Sequence, residues 1–214
     1  MIFYNENNEI IKHNIYEKTE QNLVNKYINE DDIVLELGAR YGTVSCLINS
    51  KLNNKQNQVS VEPDPKVISS LIKNRELNKC NFHIISGFIS EKKLNLERTE
   101  HICQSNIDLI GYGATFIEDE CSSIPSYSLD NIEKMYNFKF NTLVIDCEGF
   151  FEEFLNENKD ILNHIKKIII EEDYKEKCNY SNINKKLIDN KFKNCEYIIE
   201  KNNPKVSHRV WIKD

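Results

Sequence analysis

The sequence predicts an α/β fold with a mostly parallel, doubly wound sheet and an antiparallel hairpin at its C-terminal edge. Short apolar runs rich in β-branched residues recur along the chain, and segments with helical spacing of apolar residues separate them. Runs that are apolar throughout indicate strands buried on both faces, as in sheets covered by crossover helices. A connection around Pro204 that is too short for a crossover helix predicts the hairpin.

The strands of this fold can be placed one by one. They are predicted at residues 33–37, 58–62, 82–85, 141–146 and 167–171, and the two hairpin strands at 196–199 and 206–212. A stretch over residues 91–127 lacks a clean period, and a stretch of that length inside a domain is usually functional. We therefore predict a lid-like excursion over the site at 91–127.

Helices are predicted before and between these strands. The first covers residues 17–29 and belongs to an N-terminal helical extension, 1–30, while residues 31–214 form one domain. Asp64 with the following proline is predicted to cap a helix that buries Ile72, and Asp130 begins a capping-box pattern. Further helices are expected after Gly42 and after the strand that ends near residue 146.

Composition and charge exclude several classes of protein. The chain is 40% hydrophobic and 29% charged, which is typical of globular proteins, and no apolar run approaches the roughly 20 residues that span a bilayer. Its formal net charge of −6 disfavours broad electrostatic binding to nucleic acid. The seven cysteines form no C-x-x-C pair, which favours reduced thiols in the cytoplasm and disfavours structural zinc. The 29 asparagines and 4 arginines are typical of an AT-rich genome, and for a virus the location would be the host cytoplasm.

A glycine turn follows the first strand and opens a helix. Glu36 precedes it, and Gly38 and Gly42 allow backbone to approach a nucleotide-like ligand closely. Glu62 ends the next strand, where a carboxylate can accept both ribose hydroxyls of an adenosine. An acid beside the turn would receive an ammonium group and repel a pyrophosphate, which favours S-adenosylmethionine over NAD. The same residues also fit a loop-closing turn beside two solvated acids.

Two more carboxylates stand at the end of the strand that closes at residue 146. Asp146 and Glu148 lie where open α/β sheets place reacting groups, and one of them could orient or deprotonate a hydroxyl. A helix-capping Asp with a solvated Glu explains the spacing equally well. The acids at 171–173 end the neighbouring strand, so a magnesium or manganese site is conceivable there, although a solvated acidic rim is the safer interpretation and we assign no metal ligand.

The chain also resembles a known family over about residues 32–173. Five motifs occur in order: VLELGARYG (34–42), VEPDP (61–65), SGFIS (86–90), SLDN (128–131) and VIDCEG (144–149). Together they resemble the FkbM-type S-adenosylmethionine-dependent methyltransferases, a class with a Rossmann-like sheet. The sequence departs from the family at Arg40, where Asn is usual, and at Glu36, where Asp is commoner.

The resemblance implies a fold, a cofactor and a reaction. It implies a class I methyltransferase fold that holds S-adenosyl-L-methionine and methylates a hydroxyl of a small molecule, sugar or glycan. Asp146 and Glu148 would lie beside the methyl group as catalytic residues. The residues implied to hold the cofactor are Glu36, Gly38, Ala39, Tyr41, Gly42, Glu62, Ser86, Gly87 and Asp146.

Two alternatives to this function stay open. One is methylation of a nucleic acid or protein, which the net charge disfavours but a local basic patch from Lys185 to Lys193 would allow. The other is a catalytically silent cofactor-binding domain that acts through a partner, for which the departure at Arg40 is the only hint. The identity of the acceptor and the oligomeric state are not predicted.

Overall fold

The computed structural model describes residues 1–101 and 111–213. Its strands are β1 (Val34–Leu37), β2 (Gln58–Glu62), β3 (His83–Ser86), β4 (Phe88–Ile89), β5 (Leu94–His101), β6 (Gly111–Glu118), β7 (Ser126–Tyr127), β8 (Thr142–Ile145), β9 (Lys167–Glu172), β10 (Lys193–Ile199) and β11 (Ser207–Ile212). Its helices are α1 (Lys18–Tyr27), α2 (Thr43–Lys51), α3 (Ile68–Leu77), α4 (Leu129–Tyr136), α5 (Phe151–Glu157) and α6 (Tyr180–Asp189), with a 3-10 turn at Ile161–Asn163.

A seven-stranded sheet lies at the centre, in the order β10-β11-β9-β8-β1-β2-β3. The five strands from β9 to β3 are parallel, and β11 runs antiparallel to both of its neighbours, β9 and β10. This arrangement confirms the predicted sheet and its C-terminal hairpin. The chain order reverses between β8 and β1, and open α/β sheets bind ligands at such a reversal, beyond the carboxyl ends of the strands.

Helices cover both faces of the sheet because successive side chains of each strand point to opposite sides. Val34 and Val144 pack on the side of α1 and α2, whereas Leu35 and Leu143 pack against α4, α5 and α6. All four side chains are fully buried, and burying such a side chain contributes about 1.5–3 kcal/mol relative to leaving it in water. The two apolar layers explain why β1 and β8 are each apolar at every position but one.

Two helices begin later or are capped differently than the sequence predicts. The Asp64 carboxylate accepts a hydrogen bond from the backbone N–H of Lys66 (2.9 Å), so it closes a turn, and α3 begins only at Ile68. Ile72 is exposed, so the prediction that it lies on the buried face is wrong, whereas the neighbouring Leu71 is fully buried. In α4 the cap is Ser128, whose hydroxyl accepts from the backbone N–H of Asn131 (3.3 Å), so the prediction of Asp130 as the cap is wrong.

The excursion predicted at 91–127 contains regular structure in its described part. The strands β5 and β6 pair antiparallel with each other and stand apart from the central sheet, while the short β4 and β7 pair in parallel. Residues 102–110 lie outside the described part of the chain. The period is weak here in part because β6 buries the polar Thr115 and leaves the apolar Ile117 exposed.

The N-terminal segment packs against the same core as the sheet. Helix α1 contributes Leu23 and Val24 to the apolar layer over α2, and Phe3 is buried with Leu71 of α3. The boundary predicted near residue 30 stays a prediction. Among the described residues, none of the helices combines the length and apolar character that crossing a bilayer requires.

Candidate functional site

The turn after β1 brings two strand ends into contact. Gly38 has a φ of +94°, and a Cβ added there would lie 1.6 Å from the carbonyl oxygen of Asp146. The backbone N–H groups of Gly38 and Ala39 both donate to the carbonyl of Val61, each at 3.0 Å. Only glycine permits this approach, because any side chain would collide with the backbone that follows β8. The turn is therefore fixed against both neighbouring strands.

Glu62 stands at the end of β2 and holds this turn from the other side. One of its carboxylate oxygens accepts from the backbone N–H of Arg40 (2.7 Å) and the other from that of Asp64 (2.7 Å). Burial raises the pKa of Glu62 to about 7, although both hydrogen bonds favour the ionised form. Each carboxylate oxygen has capacity for a further hydrogen bond. Glu62 can thus hold the turn and still accept hydrogen bonds from a ligand.

An open cleft begins at Glu62 and runs along the carboxyl ends of β1 and β8. Its polar end carries Asp146 and Glu148, and its wall is apolar, with the ring of Phe150 in edge contact with those of Phe88 and Phe116. Residues from β5 and β6 complete the wall, so the excursion does border the site. The cleft therefore combines an aromatic wall with carboxylates, which suits a ligand that is partly aromatic and partly cationic.

The predicted site residues divide into two groups. Gly38, Glu62, Gly87, Asp146 and Glu148 line the cleft. The remaining ones lie outside its lining: Glu36, Ala39, Tyr41, Gly42 and Ser86. In this second group Ser86 is solvent-exposed, and the others are buried, Glu36 in β1 and the rest in the turn itself.

Glu36 does not stand at the strand end, as the sequence analysis assumed. It lies inside β1, opposite Ser60 and Val144 in the sheet register, and is 2% exposed. Its carboxylate accepts hydrogen bonds from the Ser60 hydroxyl and from the Gln58 amide (3.4 Å). Burial raises the pKa of Glu36 to about 7. Its contacts are those of a buried carboxylate beneath the turn rather than of a group facing the cleft.

Tyr41 anchors the N-terminal segment to the turn. Its hydroxyl donates to the carboxylate of Glu6 (2.5 Å), and its ring lies 6.2 Å from that of Tyr16. The next residue, Glu17, accepts a hydrogen bond from the hydroxyl of Thr43 at the start of α2. The segment before α1 thus closes over the glycine turn.

Acidic side chains converge where β8 and β9 end. Asp146, Glu171 and Asp173 each place a carboxylate oxygen within 4.8 Å of the others. Burial raises the pKa of Asp146 well above its usual value, and the nearby carboxylates of Asp173 and Glu17 raise it further. Burial raises the pKa of Glu148 well above its usual value, and the nearby carboxylates of Asp173 and Asp146 raise it further.

One acid of the segment 171–173 faces away from this cluster. Glu172 accepts hydrogen bonds from Arg209 (2.7 Å) and from the hydroxyl of Ser207 (3.0 Å), both on β11. Side chains alternate along β9, so when Glu172 faces these partners, Glu171 must face the opposite side. The expectation that the whole acidic triplet faces Asp146 is therefore corrected for Glu172.

The sequence analysis did not identify Glu20, a residue of α1 that lies in the same acidic region. Glu20 is 3% exposed, and one of its carboxylate oxygens is buried without a hydrogen-bond partner in the described part of the chain. The charged group that acts on it most strongly is Asp146. A signal was present in the sequence, because Glu20 precedes the apolar Leu23 and Val24 by three and four residues and so lies on the buried face of the helix.

Comparisons with known proteins support the fold. No family model matches the sequence, and a search of curated protein sequences gives no match. A protein of the NADB-Rossmann superfamily from Streptococcus agalactiae is similar in structure, with 12% identity, a TM-score of 0.58, and 92% of this chain and 68% of that one covered.

Two further neighbours were solved with S-adenosyl-L-methionine. A Streptococcus pneumoniae protein described as a tRNA methyltransferase has 13% identity, a TM-score of 0.56 and coverage of 92% of this chain and 72% of its own. Fibrillarin from Aeropyrum pernix has 13% identity, a TM-score of 0.55 and coverage of 99% and 82%. At these identities the likeness establishes the fold alone. The chain has a Rossmann-like α/β fold, and its assignment to the FkbM-type family stays a prediction.

Proposed function

We propose that this chain is an S-adenosylmethionine-dependent methyltransferase that methylates a hydroxyl group of a sugar or glycan. The observation that carries the proposal is the cleft between Glu62 and Asp146, which offers a diol acceptor, an aromatic wall and an acidic end in the order that this cofactor requires. Neighbours of the same fold that bind the cofactor add support.

The cofactor would lie along the cleft with its adenosine at Glu62. The carboxylate of Glu62 accepts the two ribose hydroxyls, and the adenine packs between the apolar side chains of Phe88 and Phe116. The sulfonium, which carries a positive charge, then lies towards Asp146 and Glu148. A dinucleotide fits less well, because its pyrophosphate would meet carboxylates instead of free backbone N–H groups.

The reaction would be a direct displacement at the methyl carbon. Bound S-adenosylmethionine, held by Glu62 at its ribose, would supply the methyl group to the acceptor oxygen and would leave as S-adenosylhomocysteine. The hydroxyl proton passes to the carboxylate of Asp146, which acts as the base. Most of the catalytic effect comes from alignment, since oxygen, carbon and sulfur must lie in line.

The remaining assignments follow the same geometry. Glu148 supports Asp146 from the same strand end, and Glu36, Ala39, Tyr41 and Gly42 shape the turn from beneath. Residues of β5 and β6 cover the cofactor as part of the lid. The motif resemblance to FkbM-type enzymes favours a saccharide as the acceptor, and the formal net charge of −6 argues against RNA.

Binding of the cofactor tests the first half of the proposal. S-adenosylhomocysteine is expected to bind at micromolar concentrations in calorimetric titration, and NAD is expected to give no heat. Glu62→Ala should weaken binding by about 1.5–3 kcal/mol, because two hydrogen bonds to a charged acceptor are lost. A matched control is Glu76→Ala, which changes an exposed acid on α3.

Glu62 also accepts hydrogen bonds from two backbone N–H groups, so Glu62→Ala changes the turn as well as the ligand contact. Titration of two nucleosides into the unmutated protein tests the ligand contact alone. Adenosine and 2′,3′-dideoxyadenosine are titrated against the unmutated protein, and only the diol should compete well. Tight NAD binding, or equal competition by both nucleosides, would contradict the proposed adenosine site.

Transfer of a labelled methyl group tests the second half. The protein is incubated with methyl-labelled cofactor and with panels of free sugars, glycans, proteins or RNA, and label is expected in the saccharide fraction only. Asp146→Asn serves as the control for label that arrives without catalysis. Label in RNA or protein would show that the acceptor is one of these and not a saccharide. Cofactor binding without any methyl transfer would favour a catalytically silent binding domain.

A further inference from the structure

We propose that Cys46 and Cys80 form a reversible disulfide when hydrogen peroxide oxidises the chain, with Cys80 as the thiol that reacts first. The modification goes beyond the proposed function, because both thiols lie outside the lining of the cleft and the reaction requires no methyl donor. Cys46 lies in α2 and Cys80 in the loop between α3 and β3, so only the fold brings them together.

The first argument is the position of the two sulfur atoms. The Sγ atom of Cys80 lies 3.8 Å from the backbone oxygen of Cys46, and Cys80 packs against the apolar cluster to which Cys46 belongs. Both sulfurs also contact the end of α3. The Sγ atom of Cys46 lies 4.0 Å from the backbone oxygen of Asn74, and that of Cys80 lies 3.6 Å from the backbone oxygen of Asn78. The two thiols therefore meet at one point of the fold.

Hydrogen bonds hold the loop that carries Cys80 in place. The backbone N–H of Cys80 donates to the carbonyl of Arg75 in α3 (2.9 Å). The next residue, Asn81, donates its backbone N–H to the side-chain oxygen of Asn49 in α2 (3.0 Å). Because the loop is anchored to both helices, the two thiols stay close together in the folded protein.

The second argument is the different accessibility of the two thiols. Cys46 is fully buried, whereas Cys80 is partly exposed. Peroxide dissolved in water can therefore reach Cys80 and is shielded from Cys46. An accessible thiol beside a second cysteine that can resolve its oxidised form is typical of redox-sensitive pairs.

The surroundings of Cys80 also favour its thiolate, which is the form that attacks a peroxide. The adjacent Cys46 thiol lowers the pKa of Cys80, and the cations Lys55 and Arg75 lower it further, against the effect of burial. The contact with Cys80 and burial raise the pKa of Cys46, so Cys46 stays protonated. Burial likewise raises the pKa of Cys147 beside the cleft, which makes that thiol a poorer target.

Oxidation would proceed in two balanced steps. The Cys80 thiolate attacks one oxygen of hydrogen peroxide, so an S–O bond forms, the O–O bond breaks and the leaving hydroxide takes up a proton to become water. The sulfur of Cys46 then attacks the sulfur of Cys80, so the S–S bond forms and the S–O bond breaks. The hydroxide that leaves takes the thiol proton of Cys46 and becomes a second water. The two sulfurs supply the two electrons that reduce the peroxide, and a thiol reductant returns them.

Peptide mapping of the purified full chain tests the disulfide. The reduced, folded chain is treated with dilute hydrogen peroxide, the remaining thiols are alkylated, and trypsin cuts the chain without reduction. Mass spectrometry should detect the peptide 41–51 linked to the peptide 80–92, and dithiothreitol should separate them. In urea the same link should form at least about tenfold more slowly, because unfolding separates the two thiols.

Variants assign the order of the two steps. Cys46→Ala should stop at a sulfenic acid on Cys80, which dimedone traps, whereas Cys80→Ser should form neither this adduct nor the disulfide. Cys195→Ser changes an exposed cysteine of β10 and is the matched control, which should leave the link unchanged. The unmutated chain carries the main result, so the test does not depend on the folding of any variant.

Two results would overturn the disulfide: absence of the linked peptides from the oxidised, folded chain, or formation of the link at the same rate in urea. Dimedone labelling of Cys46 in Cys80→Ser, without labelling of Cys80 in Cys46→Ala, would overturn the assignment of Cys80 as the first thiol to react.

Discussion

Asp146→Asn is expected to lower the rate of methyl transfer on the order of a hundredfold or more, while the affinity for S-adenosylhomocysteine changes little. The amide keeps the shape of the side chain but cannot take the acceptor's proton or carry negative charge. Because burial and the neighbouring acids already oppose ionisation of Asp146, removing its charge should not lower the melting temperature. Single-turnover rates, calorimetry and thermal unfolding measure the three quantities.

The pH profile gives a separate check on the same residue. Asp146 must be ionised to act as a base, and its pKa is raised, so the rate should increase with pH until the carboxyl is deprotonated. This rise should be absent from the residual activity of Asp146→Asn. Glu148→Gln is the comparison variant. Full activity of Asp146→Asn together with an inactive Glu148→Gln would assign the base to Glu148.

Gly38→Ala is expected to destabilise the fold by more than about 4 kcal/mol or to prevent folding. The added Cβ would lie 1.6 Å from the backbone oxygen of Asp146, and neither strand end can move without breaking the sheet contacts around it. Urea unfolding of the two proteins measures the difference. The left-handed φ of +94° adds a cost of about 1–2 kcal/mol that is separate from the collision.

Gly149→Ala measures the cost of a side chain at a left-handed φ without the close contact to backbone that Gly38→Ala creates. Gly149 has a similar φ of +88°, but its added Cβ would come no closer than 3.1 Å to another atom, the Cβ atoms of Lys177 and Tyr174, and would lie 3.5 Å from the backbone oxygen of Tyr174. It should therefore lose only about 1–2 kcal/mol from the strained φ. Equal losses for the two variants would show that the contact between the turn and Asp146 carries no special constraint.

The sheet could be predicted from the sequence because each central strand is buried on both faces and is therefore apolar almost throughout. The run Ile168 to Ile170 of β9 is the clearest case. The strands β5 and β6 could not be predicted in the same way. In β6 the polar Thr115 is buried and the apolar Ile117 is exposed, so the alternation that marks a half-buried strand is weak there.

The candidate site was harder to predict because it depends on which face each acid takes. Glu36 and Glu62 both lie near strand ends, yet Glu36 faces the layer beneath the turn and Glu62 lines the cleft. Glu171 and Glu172 are adjacent and point to opposite sides of β9. Such one-residue differences are set by the register of the sheet, which composition and spacing do not reveal. Glu20 joins the site only through the packing of α1.

The contact between Gly38 and Asp146 bears on how proteins of this design can diversify. The backbone of the turn after β1 lies against the backbone of Asp146 after β8. Neither can therefore shift to suit a new acceptor without disturbing the other. The strands β5 and β6 stand apart from the central sheet and supply part of the cleft wall through Leu96, Ala114 and Phe116. Changes in acceptor preference during evolution should therefore accumulate in these two strands, while the strand ends that hold the chemistry stay constant.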